Sequence, residues 1–172
     1  MKHLYLIATV CLFTLFACNN NANNTKISTT GEVADTVKLV SIAALDSRLA
    51  NADSVVMLFY KDPHGADSLR YTRYYTQYNS NDTALLGNLK ASLTAATVKL
   101  EKIKNCRSEG KIWVFKQGQI FQTIYFSSKD AACSFLYIIK DGFFYYAAMP
   151  YGFAVQLKSL QKKAVEVPNQ GE

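Results

Sequence analysis

Apolar residues along this chain recur every three to four positions in some stretches and every two in others, and the switches mark the elements. Ser41 stands as a cap ahead of Ile42, Leu45 and Leu49 at helical spacing, and Asn51 and Asp53 end that stretch. Ser54–Tyr60 is β-rich and apolar on both faces, which predicts a central strand. Asp62-Pro63-His64-Gly65 predicts a turn. Leu69–Tyr78 reads as a second strand, with Tyr71, Arg73 and Tyr75 on one face and Thr72, Tyr74, Thr76 and Tyr78 on the other. Two such amphipathic faces suit a strand near an edge or against a partner. Asn79-Ser80-Asn81-Asp82 then marks a turn and a helix start. Leu86, Leu89, Leu93, Ala96, Leu100 and Ile103 alternate gaps of three and four, predicting one helix with Lys90, Thr97, Lys99 and Lys102 outward. Gly87 costs it about 1 kcal/mol. A coiled coil would need a longer repeat with charge pairs beside the seam.

From Lys111 the period falls to two. Ile112–Phe115 and Gln119–Phe126 flank Gln117-Gly118, and Ser134–Ile139 and Phe143–Met149 flank Asp141-Gly142. Each set reads as a hairpin, because both central residues of a tight turn need positive φ. Ser128 with Lys129-Asp130-Ala131-Ala132 leaves a helical turn open as an alternative before the second hairpin. Pro150, suited to a first helical position, starts a helix with Phe153, Leu157, Leu160 and Ala164 inside. Lys158, Lys162 and Lys163 lie on its exposed side and near its negative end. The order α-β-β-α-β-β-β-β-α predicts an α+β domain over residues 39–167, an antiparallel sheet of about five to six strands with helices packed on one face. Residues 168–172 read as a frayed polar tail.

Ahead of this domain the pattern differs. Lys2 and His3 precede an apolar run, Leu4–Phe16, of 13 residues. A span of the ~30 Å hydrocarbon core needs about 20 residues, so the run reads as a signal peptide, residues 1–17. Leu15-Phe16-Ala17-Cys18 resembles the lipobox of bacterial lipoproteins. That resemblance implies cleavage before Cys18, a diacylglyceryl group on its thiol and often a third chain on its amine, which together anchor stably where one chain would not. It implies a lipid-anchored protein of the bacterial cell envelope, at the outer membrane, on a periplasmic or surface face. Cleavage after Ala17 without lipid is the plain alternative. Residues 18–38 read as the lipidated cysteine and a tether, with Asn19–Thr30 too poor in apolar side chains to order itself.

Composition narrows the function classes. With 49% hydrophobic and 19% charged residues, the chain holds enough apolar material for a core. The net charge of +6 falls to +5 without Lys2, and its lysines are scattered. No run is dense enough for a nucleic-acid arm, so no nucleic-acid partner is expected; a solvated face or weak attraction to anionic lipid accounts for the charge. Once Cys11 leaves and Cys18 is acylated, Cys106 and Cys133 remain, 27 positions apart. An exported compartment favours a disulfide between them, two buried thiols being the alternative. They lack redox Cys-x-x-Cys spacing.

Candidate chemistry is sparse. His64 is the one histidine of the mature chain, with Asp62 or Asp67 as a conceivable orienter, but no Gly-x-Ser-x-Gly elbow accompanies it. An exposed turn histidine is the simpler reading. No ligand spacing for zinc or calcium, no Walker loop and no dinucleotide fingerprint occurs, so no metal, cofactor or catalytic residue is assigned. Glu101 and Glu109, among lysines, suit surface ion pairs. The aromatic residues stand out. If helices cover one face, one of the neighbours Tyr145 and Tyr146 and some of Tyr71, Tyr74, Tyr75 and Tyr78 face outward, beside Arg70 and Arg73. Tyrosine suits glycan and protein contacts, while packing within the sheet is the plainer use. The expectation is a non-enzymatic module that binds an envelope protein or glycan through a tyrosine-bearing face. A structural accessory subunit, or a small hydrolase using His64, are the alternatives.

Overall fold

A computed structural model describes residues 39–66 and 72–167. The signal peptide, Cys18, the tether, Asp67, Arg70, Tyr71 and the tail fall outside them. Within them the strands are β1 (Ser54–Tyr60), β2 (Tyr75–Ser80), β3 (Thr97–Leu100), β4 (Gly110–Lys116), β5 (Gln119–Ser128), β6 (Ser134–Lys140), β7 (Phe143–Ala148) and β8 (Val165–Glu166). They form one antiparallel sheet in the order β3-β7-β6-β5-β4-β1-β2-β8. The sheet therefore exceeds the expected five to six strands by the short edge strands β3 and β8. Both anticipated hairpins form. Gln117 and Gly118 take φ of 53° and 74°, and Asp141 and Gly142 take 51° and 78°, the conformation a two-residue turn demands.

The helices are α1 (Ile42–Leu45), α2 (Thr83–Ser92) and α3 (Tyr151–Gln161), with a 3₁₀ turn at Ser47–Asn51. Ser41 caps α1 by accepting from the Ala44 N–H. Asp46 then adopts an extended backbone and starts the 3₁₀ turn, so the first predicted helix is two pieces. Asp82 caps α2, its carboxylate accepting from the Ala84 and Leu85 N–H groups. Pro150 is the cap residue of α3, one position earlier than expected.

Two sequence readings are corrected. The helix expected to reach Ile103 ends at Ser92, and Thr97–Leu100 is strand β3, paired with β7. Leu86, Leu89 and Leu93 are genuine helix or cap contacts with the core, but Ala96, Leu100 and Ile103 continue the spacing by coincidence. The edge of β7 presents backbone groups that need partners, and β-branched Thr97 and Val98 suit a strand. Thr97, expected outward, is consequently buried. The second correction concerns Leu69–Tyr78. Strand β2 starts only at Tyr75 and continues through Asn79 and Ser80, while Thr72–Tyr74 precede it as a turn and bend. The stretch Lys129–Ala132 makes bends and a turn, with the Cys133 N–H bonded to Asp130.

All three helices pack on one face. Ile42, Leu49, Leu86, Leu89, Leu93, Phe153, Leu157 and Leu160 join Val55, Met57, Phe59, Ile112, Val114, Ile124, Phe126, Leu136 and Ile138 in one core. Gly110 is required there, since a Cβ would collide with the Leu58 carbonyl oxygen and the Phe126 ring.

Candidate functional site

The face away from the helices has two unlike halves. Toward the β3 edge, Phe135, Tyr137 and Tyr146 are buried, with Leu100, Cys106, Tyr125, Cys133 and Phe144 packed against them. The ring centroids of Tyr137 and Tyr146 are 4.8 Å apart, and those of Phe135 and Tyr146 5.0 Å. The segment between β3 and β4 lies over these rings. A disulfide joins Cys106 to Cys133, the Lys104 N–H donates to the Tyr146 hydroxyl at 3.0 Å, and Ser108 Oγ meets the Tyr137 hydroxyl at 3.0 Å. The Lys104 ammonium sits 4.9 Å from the Tyr146 ring centroid. Burial pushes the Tyr146 phenol above its ordinary pKa, the Lys104 N–H opposing that shift.

This cover corrects the tyrosine reading. Tyr145 and Tyr146 do point to opposite faces, but Tyr146 is only 3% exposed, and Tyr145 is half-buried against the helix-side core. Tyr78 is likewise half-buried on the helix side. Tyr74 is 42% exposed, with the Arg73 guanidinium 5.6 Å from its ring centroid. Tyr75 lies on the helix-free face opposite Tyr60.

The other half carries the exposed chemistry. Pairing of β1 with β4 and of β4 with β5 sets Trp113 between Val56 and Thr123, and Lys111 between Leu58 and Tyr125. Gln77 and Asn79 continue the same face on β2. Trp113, Lys111, Phe115, Thr123 and Tyr125 are all half-buried. The Lys111 ammonium lies 4.9 Å from the Trp113 ring centroid, and its burial lowers its pKa. Tyr125 stacks on Tyr137, centroids 4.9 Å apart. A shallow cleft of about 320 Å³, lined by Ile120, Phe121, Gln122, Thr123, Tyr125 and Ile139, extends this surface. The result is a flat aromatic centre ringed by amides, a hydroxyl and an amine. Sequence reasoning passed over Trp113 and Lys111. The signal was there: period two sets Lys111, Trp113 and Phe115 opposite Ile112 and Val114, so the single tryptophan had to leave the helix-side core.

The cleft exists because β5 and β6 pair only between Tyr125–Ser128 and Ser134–Tyr137 and diverge beyond. Arg48 borders the gap from the helix side, where a second cleft of about 400 Å³ opens between Leu45–Arg48, Gln122, Ile139 and Lys140. Its guanidinium donates to Asp46 at 2.7 and 2.9 Å and to the Phe121 carbonyl at 3.3 Å. Hydrogen bonding from Arg48 holds the Asp46 carboxyl below its ordinary range, against a smaller effect of burial.

His64 faces Glu109 rather than an aspartate, its Nε2 lying 3.3 Å from the carboxylate. Glu109 also accepts from the Ser128 N–H at 2.5 Å and hydroxyl at 2.7 Å, and so is a bridge rather than a surface ion pair among lysines. The carboxylate thus stands between serine and imidazole, whereas a hydrolytic triad needs the imidazole beside the hydroxyl. The adjoining cavity of about 70 Å³ falls short of the ~300 Å³ typical of small-molecule sites. Among the described residues, no three His, Cys, Asp or Glu side chains converge as metal ligands. No family model, curated protein or solved structure matches the chain.

Proposed function

We propose that this chain is a lipoprotein of the bacterial cell envelope, anchored through Cys18, and that its domain is a non-enzymatic module binding a protein or glycan. The binding surface is the open half of the helix-free face, centred on Trp113. What supports this is the contrast within one sheet face: half is sealed by a disulfide-pinned segment, and the other half leaves a tryptophan, a tyrosine and a lysine in reach of solvent. Flat aromatic rings flanked by hydrogen-bonding groups stack on sugar rings and anchor protein interfaces, where Trp and Tyr are enriched. Of the tyrosines read from sequence, Tyr74 and Tyr75 stay in this surface and Tyr71 lies outside the described residues, while Tyr125, not singled out in the sequence, joins it. The hydrolase reading gains nothing from the His64 geometry.

The test is a cross-linking pull-down from membranes with wild type, Cys18→Ser and Trp113→Ala. Capture of one envelope component should need both residues, with Trp113→Ala weakening it about tenfold, the effect of losing roughly 1.4 kcal/mol of contact. Unchanged capture by Trp113→Ala would reject the surface. A captured partner that resists high salt and dilution would favour the accessory-subunit reading, in which the same face is a permanent interface.

A further inference from the structure

We propose that the β3 edge docks on an anionic lipid bilayer and sets the orientation of the domain. The inference goes beyond the binding reading and rests on its Cys18 anchor. The chain enters the domain beside β3. The Val40 carbonyl accepts from both the Thr97 N–H, at 3.0 Å, and the Thr97 hydroxyl, and Ser41 bridges to Ala96. The edge strand β3 is therefore the part of the sheet that the anchor-side segment meets.

That edge is both greasy and basic. Leu39, Val98 and Ile103 are 68%, 56% and 54% exposed. Val98 pairs with Tyr146, whose hydroxyl takes the Lys104 N–H, so Val98 and the 103–104 stretch share one face. Lys102, exposed, and Lys104, half-buried over the Tyr146 ring, flank Ile103 beside Glu101, whereas Lys99 lies over the Phe143 ring on the helix side and Arg107 donates to the Gly65 carbonyl. A lysine on an edge strand also deters pairing by another chain, but that use needs no exposed aliphatic side chains around it. A bilayer surface with acidic headgroups takes both, cations at about 1 kcal/mol each and aliphatic groups into the interface. Such contact is weak for a free protein. Leu39, however, follows Cys18 by 21 residues, a contour of at most about 75 Å, which confines the edge near the membrane at high effective concentration. Docking there leaves Trp113 clear, because β4 lies four strands from β3, about 20 Å away.

The experiment is lysine footprinting of the full acylated protein, with a water-soluble amine-reactive ester and mass spectrometry. It compares vesicles of phosphatidylethanolamine containing phosphatidylglycerol with vesicles of phosphatidylcholine alone, and flotation records whether the protein is anchored. On the anionic vesicles Lys102 should react several-fold more slowly while Lys158, Lys162 and Lys163 are unaffected. High salt or Ile103→Ser should abolish the difference. A protein that floats yet shows equal Lys102 reactivity on both vesicles would overturn the docking and leave the anchor standing. A protein that does not float would overturn the anchor and the docking with it. Protection of Lys102 in the absence of vesicles would point to a second copy on this edge and also overturn the proposal.

Discussion

At the scale of single residues, two sites separate stored cost from support. Ser127 is fully buried, and its hydroxyl has no hydrogen-bond partner among the described residues. An unpartnered buried hydroxyl is a net penalty, so Ser127→Ala should raise stability by about 1 kcal/mol, read as a higher urea midpoint at unchanged slope. Glu109 is the opposite case. It satisfies the Ser128 backbone and hydroxyl at once, and Glu109→Ala should lower stability by about 2 kcal/mol. His64→Ala, which removes only a partly exposed contact to the Glu109 carboxylate, should cost under about 1 kcal/mol. Equal losses from the two variants would mean that the His64 contact, not the serine bridge, holds this corner. Neither role was legible in the sequence. Glu109 and Ser128 are 19 positions apart, and only the pairing of β4 with β5 brings them together.

At the scale of elements, local signals succeeded where they were self-contained. Asp-Gly and Gln-Gly turns, the Ser41 cap and the β1 run needed no tertiary information. The α2 stripe misled because a spacing of three and four says nothing about where a helix stops, and the partner that claims Thr97–Leu100 is β7, nearly fifty residues on. The Cys106–Cys133 staple fixes the segment that covers the smaller aromatic cluster. Loop entropy gives it about 3–4 kcal/mol, and Cys106→Ser combined with Cys133→Ser should lose that much. It should also gain binding of a hydrophobic dye as Phe135, Tyr137 and Tyr146 are uncovered, whereas unchanged dye binding would mean that the segment stays in place without its bond. Acid should weaken the corner beside the split between β5 and β6. The native Asp46 carboxyl titrates below its ordinary 3.8 because Arg48 hydrogen-bonds to it, so its contribution is intact above that pH and is lost as the pH falls through the lower native value. Asp46→Asn should therefore be less stable than wild type at neutral pH, and the gap should begin to narrow as the pH falls below 3.8 and vanish below the lower native value; a gap that does not narrow with falling pH would assign the loss to packing.

At the scale of the whole molecule, an eight-stranded antiparallel sheet carries helices on one face, and on the other a disulfide-pinned segment covers one half and leaves the Trp113 half open. The α+β class followed from the alternation of periods, but the number of strands did not, since β3 and β8 are four and two residues long and carry little pattern of their own. The exposed tyrosines were misjudged for a related reason: alternation sets the face a side chain takes, and only the tertiary cover decides whether that face is open. If the domain is the binding module proposed above, the open half around Trp113 meets a partner in the envelope. A photoreactive phenylalanine analogue placed in living cells at Thr123, beside Trp113, or at Ser159, exposed on α3, tests it most directly. Position 123 should give a discrete cross-linked species that is absent from position 159. Equal adducts from both positions, or none from position 123, would contradict it.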